Sequence, residues 1–289
     1  MTIKKVLVIG GTGMIGKPVA ERLAVEGFDV SIGSRSVDSI RRVFGEKFPA
    51  VAVQVTDPES LRKALQDFDA VHLNLPSGPR FKDCFETETS GAKTLASVVK
   101  DTSIKRISYI TGAGVNADQT FPPARAKWLA EEAIRACGVP FTIWRPSWFF
   151  ETLHKTVRFG SVGMLGKGNV QAHWLGASDL GGWIAKALND ERTANKTFYA
   201  FGSRNYSYKD IAQVYRDLCH PKMKILSAPI WFVSLMGSLT RNWDMWFGAQ
   251  MFKYLENEPE AGDPSEAVQL LGELNTSIEE WCRSQDCGN

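Results

Sequence analysis

The run Gly10-Gly11-Thr12-Gly13-Met14-Ile15-Gly16 satisfies both Gly-x-Gly-x-x-Gly and Gly-x-x-Gly-x-x-Gly. Early glycines at this spacing allow a tight turn, and Gly13 leaves room for a pyrophosphate beside the backbone. Gly16 lets a helix pack closely on a strand, and the helix start supplies unpaired N–H groups and a positive dipole end. The alternative, a ligand-free turn, is disfavoured by context: an apolar run precedes the glycines and a helical pattern follows them. The next strand ends in Gly33-Ser34-Arg35-Ser36, with Arg41 and Arg42 further on. An NAD site usually carries Asp or Glu there to hold the ribose hydroxyls. A guanidinium and a hydroxyl suit a 2′-phosphate instead, so Ser34 and Arg35 predict NADP(H) as the cofactor. A solvated surface arginine is the other reading of Arg35.

Other chemistries find less support. The four histidines (72, 154, 173, 220) show no His-x-x-x-His or other ligand spacing, so no metal is expected. His154 and His173 are placed in the later half, where they either face a pocket or are ordinary core or surface residues. No Gly-x-Ser-x-Gly elbow is present, which removes the support for a serine hydrolase. Five cysteines (84, 137, 219, 282, 287) form no Cys-x-x-Cys pair. Their odd number argues against a disulfide framework and for a cytoplasmic location.

The elements that must position these residues alternate. Residues 4–9, 28–33, 51–55, 70–75, 106–111 and 141–144 read as strands, the first with the unbroken apolar character of one buried on both faces. Helical patterns lie between them at 17–26, 37–44, 59–66, 88–100 and 126–137, and Asp57-Pro58 reads as an N-cap and first-turn proline. This alternation predicts an α/β fold with a doubly wound parallel sheet, a Rossmann domain over residues 1–148. Beyond it, helical patterns at 178–189, 208–218, 229–255 and 275–284 predict a smaller, mainly helical substrate region over 149–289, on the carboxyl edge of the sheet.

Composition is that of an ordinary globular chain: 289 residues, 44% hydrophobic, 23% charged. The formal charge of +2 conceals an acidic tail, since residues 254–289 carry one basic and nine acidic side chains. Basic residues elsewhere are scattered among acids, so no nucleic-acid partner is expected. No stretch approaches the roughly 18 apolar residues of a bilayer span. The two lysines before the first apolar run superficially resemble a signal peptide, but a long apolar region and a small-residue cleavage site are missing. All nine tryptophans stand at or after Trp128. Trp148, Phe149 and Phe150 follow the sixth strand, where they would line a substrate pocket. Trp231, Phe232, Trp243, Trp246, Phe247 and Phe252 crowd one later stretch. These aromatics read as helical core or a homodimer patch, as an apolar substrate wall, or as a membrane-surface segment that has few lysines.

Several stretches together resemble the atypical short-chain dehydrogenase/reductases, in the NmrA-like branch. They are Gly10–Gly16, Val53–Leu61, Gly91–Lys100 with Lys105–Gly112, Lys127–Ile134, Gly138–Pro146, Ser178–Gly181 and Leu270–Trp281. The resemblance implies that Gln54 contacts adenine where relatives often have Asp. It further implies that Leu75 and Pro76 line the adenosine side and that Arg145-Pro146-Ser147 lies beside the nicotinamide. Typical members use Tyr-x-x-x-Lys, in which lysine lowers the phenol pKa for proton transfer. None of the six tyrosines here is followed by lysine four residues later; Lys127 matches the motif lysine, and Pro123 occupies the tyrosine position. Lys127 then either orients the nicotinamide ribose, moves a proton itself, or forms a helical ion pair with Glu131. Thr111 is the hydroxyl nearest the family's catalytic Ser or Thr position.

The resulting expectation is an NADP(H)-dependent oxidoreductase acting on a small apolar or aromatic carbonyl or conjugated compound. A catalytically silent NADP-binding sensor or assembly factor is the alternative, with Pro123 as its motive. A nucleotide-sugar epimerase comes third, because that chemistry needs the absent tyrosine.

Overall fold

Val6, Leu7, Val8 and Ile9 are all buried, and a segment without an exposed edge or face belongs at the centre of a sheet. The computed structural model describes residues 2–75, 80–158, 160–258 and 260–285, and it places this segment there. The strands are Lys5–Ile9 (β1), Asp29–Ser34 (β2), Ala50–Ala52 (β3), Ala70–Leu73 (β4), Arg106–Ile110 (β5), Phe141–Pro146 (β6) and, later in the chain, Lys196–Ala200 (β10). They form one sheet in the order β10-β6-β5-β4-β1-β2-β3, and every pairing is parallel. The predicted doubly wound sheet is therefore present. Strand order reverses between β1 and β4, and ligands of such sheets bind at that reversal.

Local chemistry explains the connections. The Asp57 carboxylate accepts from Glu59 N at 3.0 Å and Pro58 opens the helix Pro58–Leu65. β3 is shorter than its apolar pattern because Gln54 N donates to Ser60 Oγ at 2.9 Å and Asp57 N to the Gln54 carbonyl at 3.0 Å, turning the chain out of the sheet. The pattern expected as one helix from residue 88 begins earlier, with Phe81–Cys84, and passes through a π-helical turn, Phe85–Thr89, before Ser90–Val98. Buried Leu65, Val71, Leu95, Ile107 and Ile143 form the core on one side of the sheet. His72 is fully buried, donating to or accepting from Ser108 Oγ at 2.8 Å. Burial pushes its imidazole down to about 3, so it stays neutral.

The chain divides into two compact units that interleave along the sequence, rather than meeting at one point near residue 148. The first comprises Met1–Pro146, Ala177–Ala200 and Asp263–Gly272. The strand β10 belongs with the sheet by pairing with β6, and the helix Ala177–Leu188 and the turn after it are tied to the sheet by Arg106, on β5, which donates to the Ala187 carbonyl and to Thr193 Oγ1 at 3.3 and 3.2 Å. The second unit comprises Ser147–Gly176, Phe201–Gly262 and Glu273–Asn289. It is rich in helix, as the pattern predicts, but also carries short strands. Ser161–Leu165 (β8) pairs with Val157–Arg158 (β7) and Lys224–Ala228 (β12), and Gln171–His173 (β9) pairs with Asn205–Ser207 (β11). Its core gathers Phe150, Trp174, Tyr208, Tyr215 and Trp281. Cys84, Cys137 and Cys282 are buried thiols, whereas Cys219 is disulfide-bonded. The odd cysteine count consequently carries no argument about compartment.

Candidate functional site

The glycine run links the end of β1 to the helix Gly16–Val25 in a turn that other residues could not make. Gly10 has φ +82°, and a Cβ there would lie 2.0 Å from the Asn74 carbonyl oxygen; a Cβ on Gly16 would lie 2.2 Å from that of Gly10. Gly13 N donates to the Gly10 carbonyl at 3.1 Å and Lys17 N to that of Gly13 at 2.9 Å. At Gly13 the geometry differs: it is exposed, and the nearest atoms to a Cβ would be Gly10 O at 3.3 Å and Asn74 Nδ2 at 3.9 Å. That hollow is where a ligand can approach the backbone. Thr12, Met14 and Ile15 are half-buried around it and Gly11 is buried beneath. No side chain caps this helix and its first turn has no acidic residue. An anion is the partner such an end accommodates, so the residues fit a dinucleotide pyrophosphate. Asn74, whose side chain and carbonyl border the hollow, was invisible to the glycine motif.

Ser34 ends β2, sharing a hydrogen bond with Ser39 Oγ at 3.1 Å. Arg35 is exposed beside it and, among the described residues, takes part in no ion pair. Arg41 is 3.8 Å from Glu46. Gln54 donates to Thr56 Oγ1 at 2.9 Å. Leu75 is buried in the sheet core, and Pro76 lies outside the described residues.

Lys127 does not pair with Glu131, its neighbour one turn along the helix Pro122–Ala136. Its ammonium instead donates to Glu88 Oε2 at 2.5 Å, and Tyr109 OH donates to Glu88 Oε1 at 3.0 Å. Glu88 is fully buried and Lys127 half-buried. Burial first, then the Glu88 charge, raises the Tyr109 pKa well above its usual value, so this phenol is neutral. Pro123, one turn before Lys127, is buried at the helix start.

Glu131 serves a second buried cluster. It accepts from Thr111 Oγ1 at 2.7 Å, from Arg145 Nε and Nη2 at 3.1 and 2.6 Å, and from Arg135 Nη2 at 2.6 Å. Burial works against the Arg145 charge, but Glu131 and Tyr199 more than offset it and raise its pKa. The Thr111 hydroxyl is thereby held by a carboxylate, and the Pro146 carbonyl is engaged by Ala113 N at 2.9 Å. Glu88 escaped the sequence reading, and Glu131 entered it only as a partner for Lys127. A detectable signal existed: each is an acid inside an apolar stripe, Glu88 with Ala92 and Leu95, Glu131 with Ala124 and Ile134.

The second unit holds the remaining candidates. Phe150 is fully buried, its ring against Trp174 and Trp281 at 6.3 and 5.7 Å, and Phe149 is buried as well. Trp148 is half-buried, 5.0 Å from Trp174 and 5.4 Å from Phe252. These rings pack as core. Glu260 joins Ser147 to His173: it receives the Ser147 hydroxyl, the His173 imidazole and His173 N, the last at 3.1 Å. Among the described residues no three His, Cys, Asp or Glu side chains group as a metal site.

The family model for NAD(P)H-binding proteins matches residues 10–191. Phenylcoumaran benzylic ether reductase TP7 of Nicotiana tabacum is 28% identical over 248 residues, 78% of this chain and 78% of the relative. Photosystem II assembly factor Ycf39 of Cyanophora paradoxa is 23% identical over 242 residues, 80% of this chain and 73% of the relative. The triphenylmethane reductase of Citrobacter sp., solved in complex with NADP(H), shares the fold with a TM-score of 0.73 at 17% identity, over 97% of this chain and 100% of that one. The chain thus belongs to the NAD(P)H-binding family, as a Rossmann-fold member of the NmrA-like, atypical short-chain dehydrogenase/reductases.

Proposed function

We propose that the chain is an NADP(H)-dependent oxidoreductase that reduces a small apolar or aromatic carbonyl or conjugated compound without a Tyr-x-x-x-Lys dyad. The observation that carries this reading is the Tyr109–Glu88–Lys127 chain, which ties the side-chain nitrogen of the residue matching the family's lysine to a buried carboxylate. An ammonium has three donors; one goes to Glu88, which leaves Lys127 able to hold a ribose hydroxyl or pass a proton to a substrate oxygen. The bound cofactor would supply the hydride. The Gly10–Gly16 turn would receive its pyrophosphate, with Ser34 and Arg35 on the 2′-phosphate, Gln54 toward adenine and the Pro146 region toward the nicotinamide. Thr111 acts in this scheme by buttressing Glu131 and, through it, the helix that carries Lys127.

Two measurements test the proposal. Calorimetry is expected to show NADPH binding more tightly than NADH, with Arg35→Ala removing roughly ten- to hundredfold of that preference. Equal or tighter NADH binding by the natural chain would sink the assignment of Arg35. NADPH oxidation is expected against a panel of aldehydes, ketones and quinones, and Lys127→Met should lower turnover about 10²–10⁴-fold. Unchanged turnover removes Lys127 from the mechanism. A second reading, a dinucleotide-binding assembly or sensor protein, draws on Pro123 at the tyrosine position and on the assembly-factor relative. Tight NADPH binding with no turnover across the panel would favour it.

A further inference from the structure

Six of the eight large hydrophobic side chains that stand exposed among the described residues fall between Leu226 and Trp243. Trp231, Leu235 and Leu239, spaced by four, form one outward stripe on the helix Ile230–Leu239, and Phe232 widens it. Trp231 is 69% exposed and Leu239 70%. This is not the outer surface of a loosely placed helix. A Cβ on Gly237 would lie 2.6 Å from Trp246 N, and Gln250 Nε2 donates to Ser234 Oγ at 2.8 Å, so the inner side is packed backbone to backbone on the helix Trp243–Asn257. The apolar stripe is what the hairpin presents outward.

Charge identifies its partner. From Lys222 to Lys253 the chain carries four basic side chains and one acid, Asp244. Lys222 and Lys224 precede the stripe, and Arg241, in the turn with φ +53°, follows it. All three are exposed and, among the described residues, none is in an ion pair. Lys224 and Leu226 alternate with Ile225 on β12 and so share a strand face. An apolar helix face with Trp231 at its start and Trp243 just beyond its end, bracketed by unpaired cations, matches the chemistry of an anionic lipid interface. A second copy fits poorly. A two-fold axis would bring Arg241 against either Arg241 or the Lys222–Lys224 end of the other helix, setting like charges together in both arrangements. The helix is ten residues long, about 15 Å, and no described helix is long and apolar enough to cross a membrane. The contact would therefore lie in the interface plane.

We propose that the second unit docks on anionic membrane surfaces through the outward face of the Ile230–Leu239 helix, with Trp231, Leu235 and Leu239 inserted among the acyl chains and Lys222, Lys224 and Arg241 on the headgroups. Flotation of the full chain with phosphatidylcholine vesicles containing 30% phosphatidylglycerol tests this, read alongside tryptophan emission. The chain is expected to float with these vesicles, with a blue shift, and at least tenfold less with pure phosphatidylcholine. Trp231→Asp with Leu235→Asp should abolish flotation. Lys222→Glu with Lys224→Glu and Arg241→Glu should weaken it tenfold or more and remove its salt dependence. Unchanged thermal melting confirms that the variants fold, as expected for exposed positions. Absence of flotation with the anionic vesicles, or binding equal on both lipids, overturns the proposal. So does a natural chain that elutes as a dimer and becomes monomeric on Leu235→Asp, which would give the face to a second copy.

Discussion

Replacing Gly13 by aspartate is expected to eliminate NADPH binding while leaving the fold intact. A Cβ at Gly13 would lie 3.3 Å from the Gly10 carbonyl oxygen, a tight contact that a shift of a few tenths of an ångström relieves, and the carboxylate would enter the hollow proposed for the pyrophosphate. Two like charges about 4 Å apart repel by roughly 1 kcal/mol in water and about 4 kcal/mol near a protein surface, and steric exclusion adds to this. The expected result is at least about a hundredfold rise in Kd, with a melting temperature close to that of the natural chain. Gly16→Ala makes the contrast: its Cβ would press on the Gly10 carbonyl at 2.2 Å, so binding and stability should fall together. Calorimetry paired with a thermal melt separates the two. Full NADPH affinity in Gly13→Asp would mean that the phosphates sit elsewhere.

The largest loss of stability is expected from Glu131→Ala. This fully buried carboxylate accepts from Thr111, Arg135 and Arg145, and its removal leaves the Arg145 guanidinium, itself only about a tenth exposed, without its main counter-charge. Breaking a buried pair from one side typically costs about 3–5 kcal/mol, a fall in melting temperature on the order of 10 °C for a chain of this size. Glu132→Ala is the control: Glu132 is half-exposed and meets Arg135 at the surface, where an ion pair contributes about 0–1 kcal/mol. A Glu131→Ala shift no larger than that of the control would show that the cluster does not hold the first unit together.

The contrast between what could and could not be read in the residues has a physical basis. The strands β1, β4 and β5 and the glycine turn were legible because each is a local pattern: an apolar run, or a spacing that backbone geometry demands. Asp57-Pro58 was legible for the same reason. Glu88 was not, because its partners Lys127 and Tyr109 are distant in sequence and only the fold brings them together. The π-helical turn at Phe85–Thr89 has no local pattern that distinguishes it from α-helix. The strand β10 is short, half-exposed on alternate residues, and set among helical segments. The late tryptophans divide into two populations that composition cannot separate. Trp174 and Trp281 are core, whereas Trp231 and Trp243 face outward.

The interleaving of the two units also sets an order of events while the polypeptide is being made. β6 pairs with β5 on one side and with β10 on the other, but β10 leaves the ribosome about fifty residues after β6, behind the first segment of the second unit. At about 5–20 residues per second, the outer edge of β6 stays bare for several seconds. That edge belongs to the sequence Phe-Thr-Ile-Trp-Arg-Pro, every residue of which is buried in the finished molecule, and an apolar strand with unpaired backbone groups is a template for wrong pairing. The nascent chain is thus most vulnerable midway through its synthesis, and a translational pause before residue 196 would prolong that exposure.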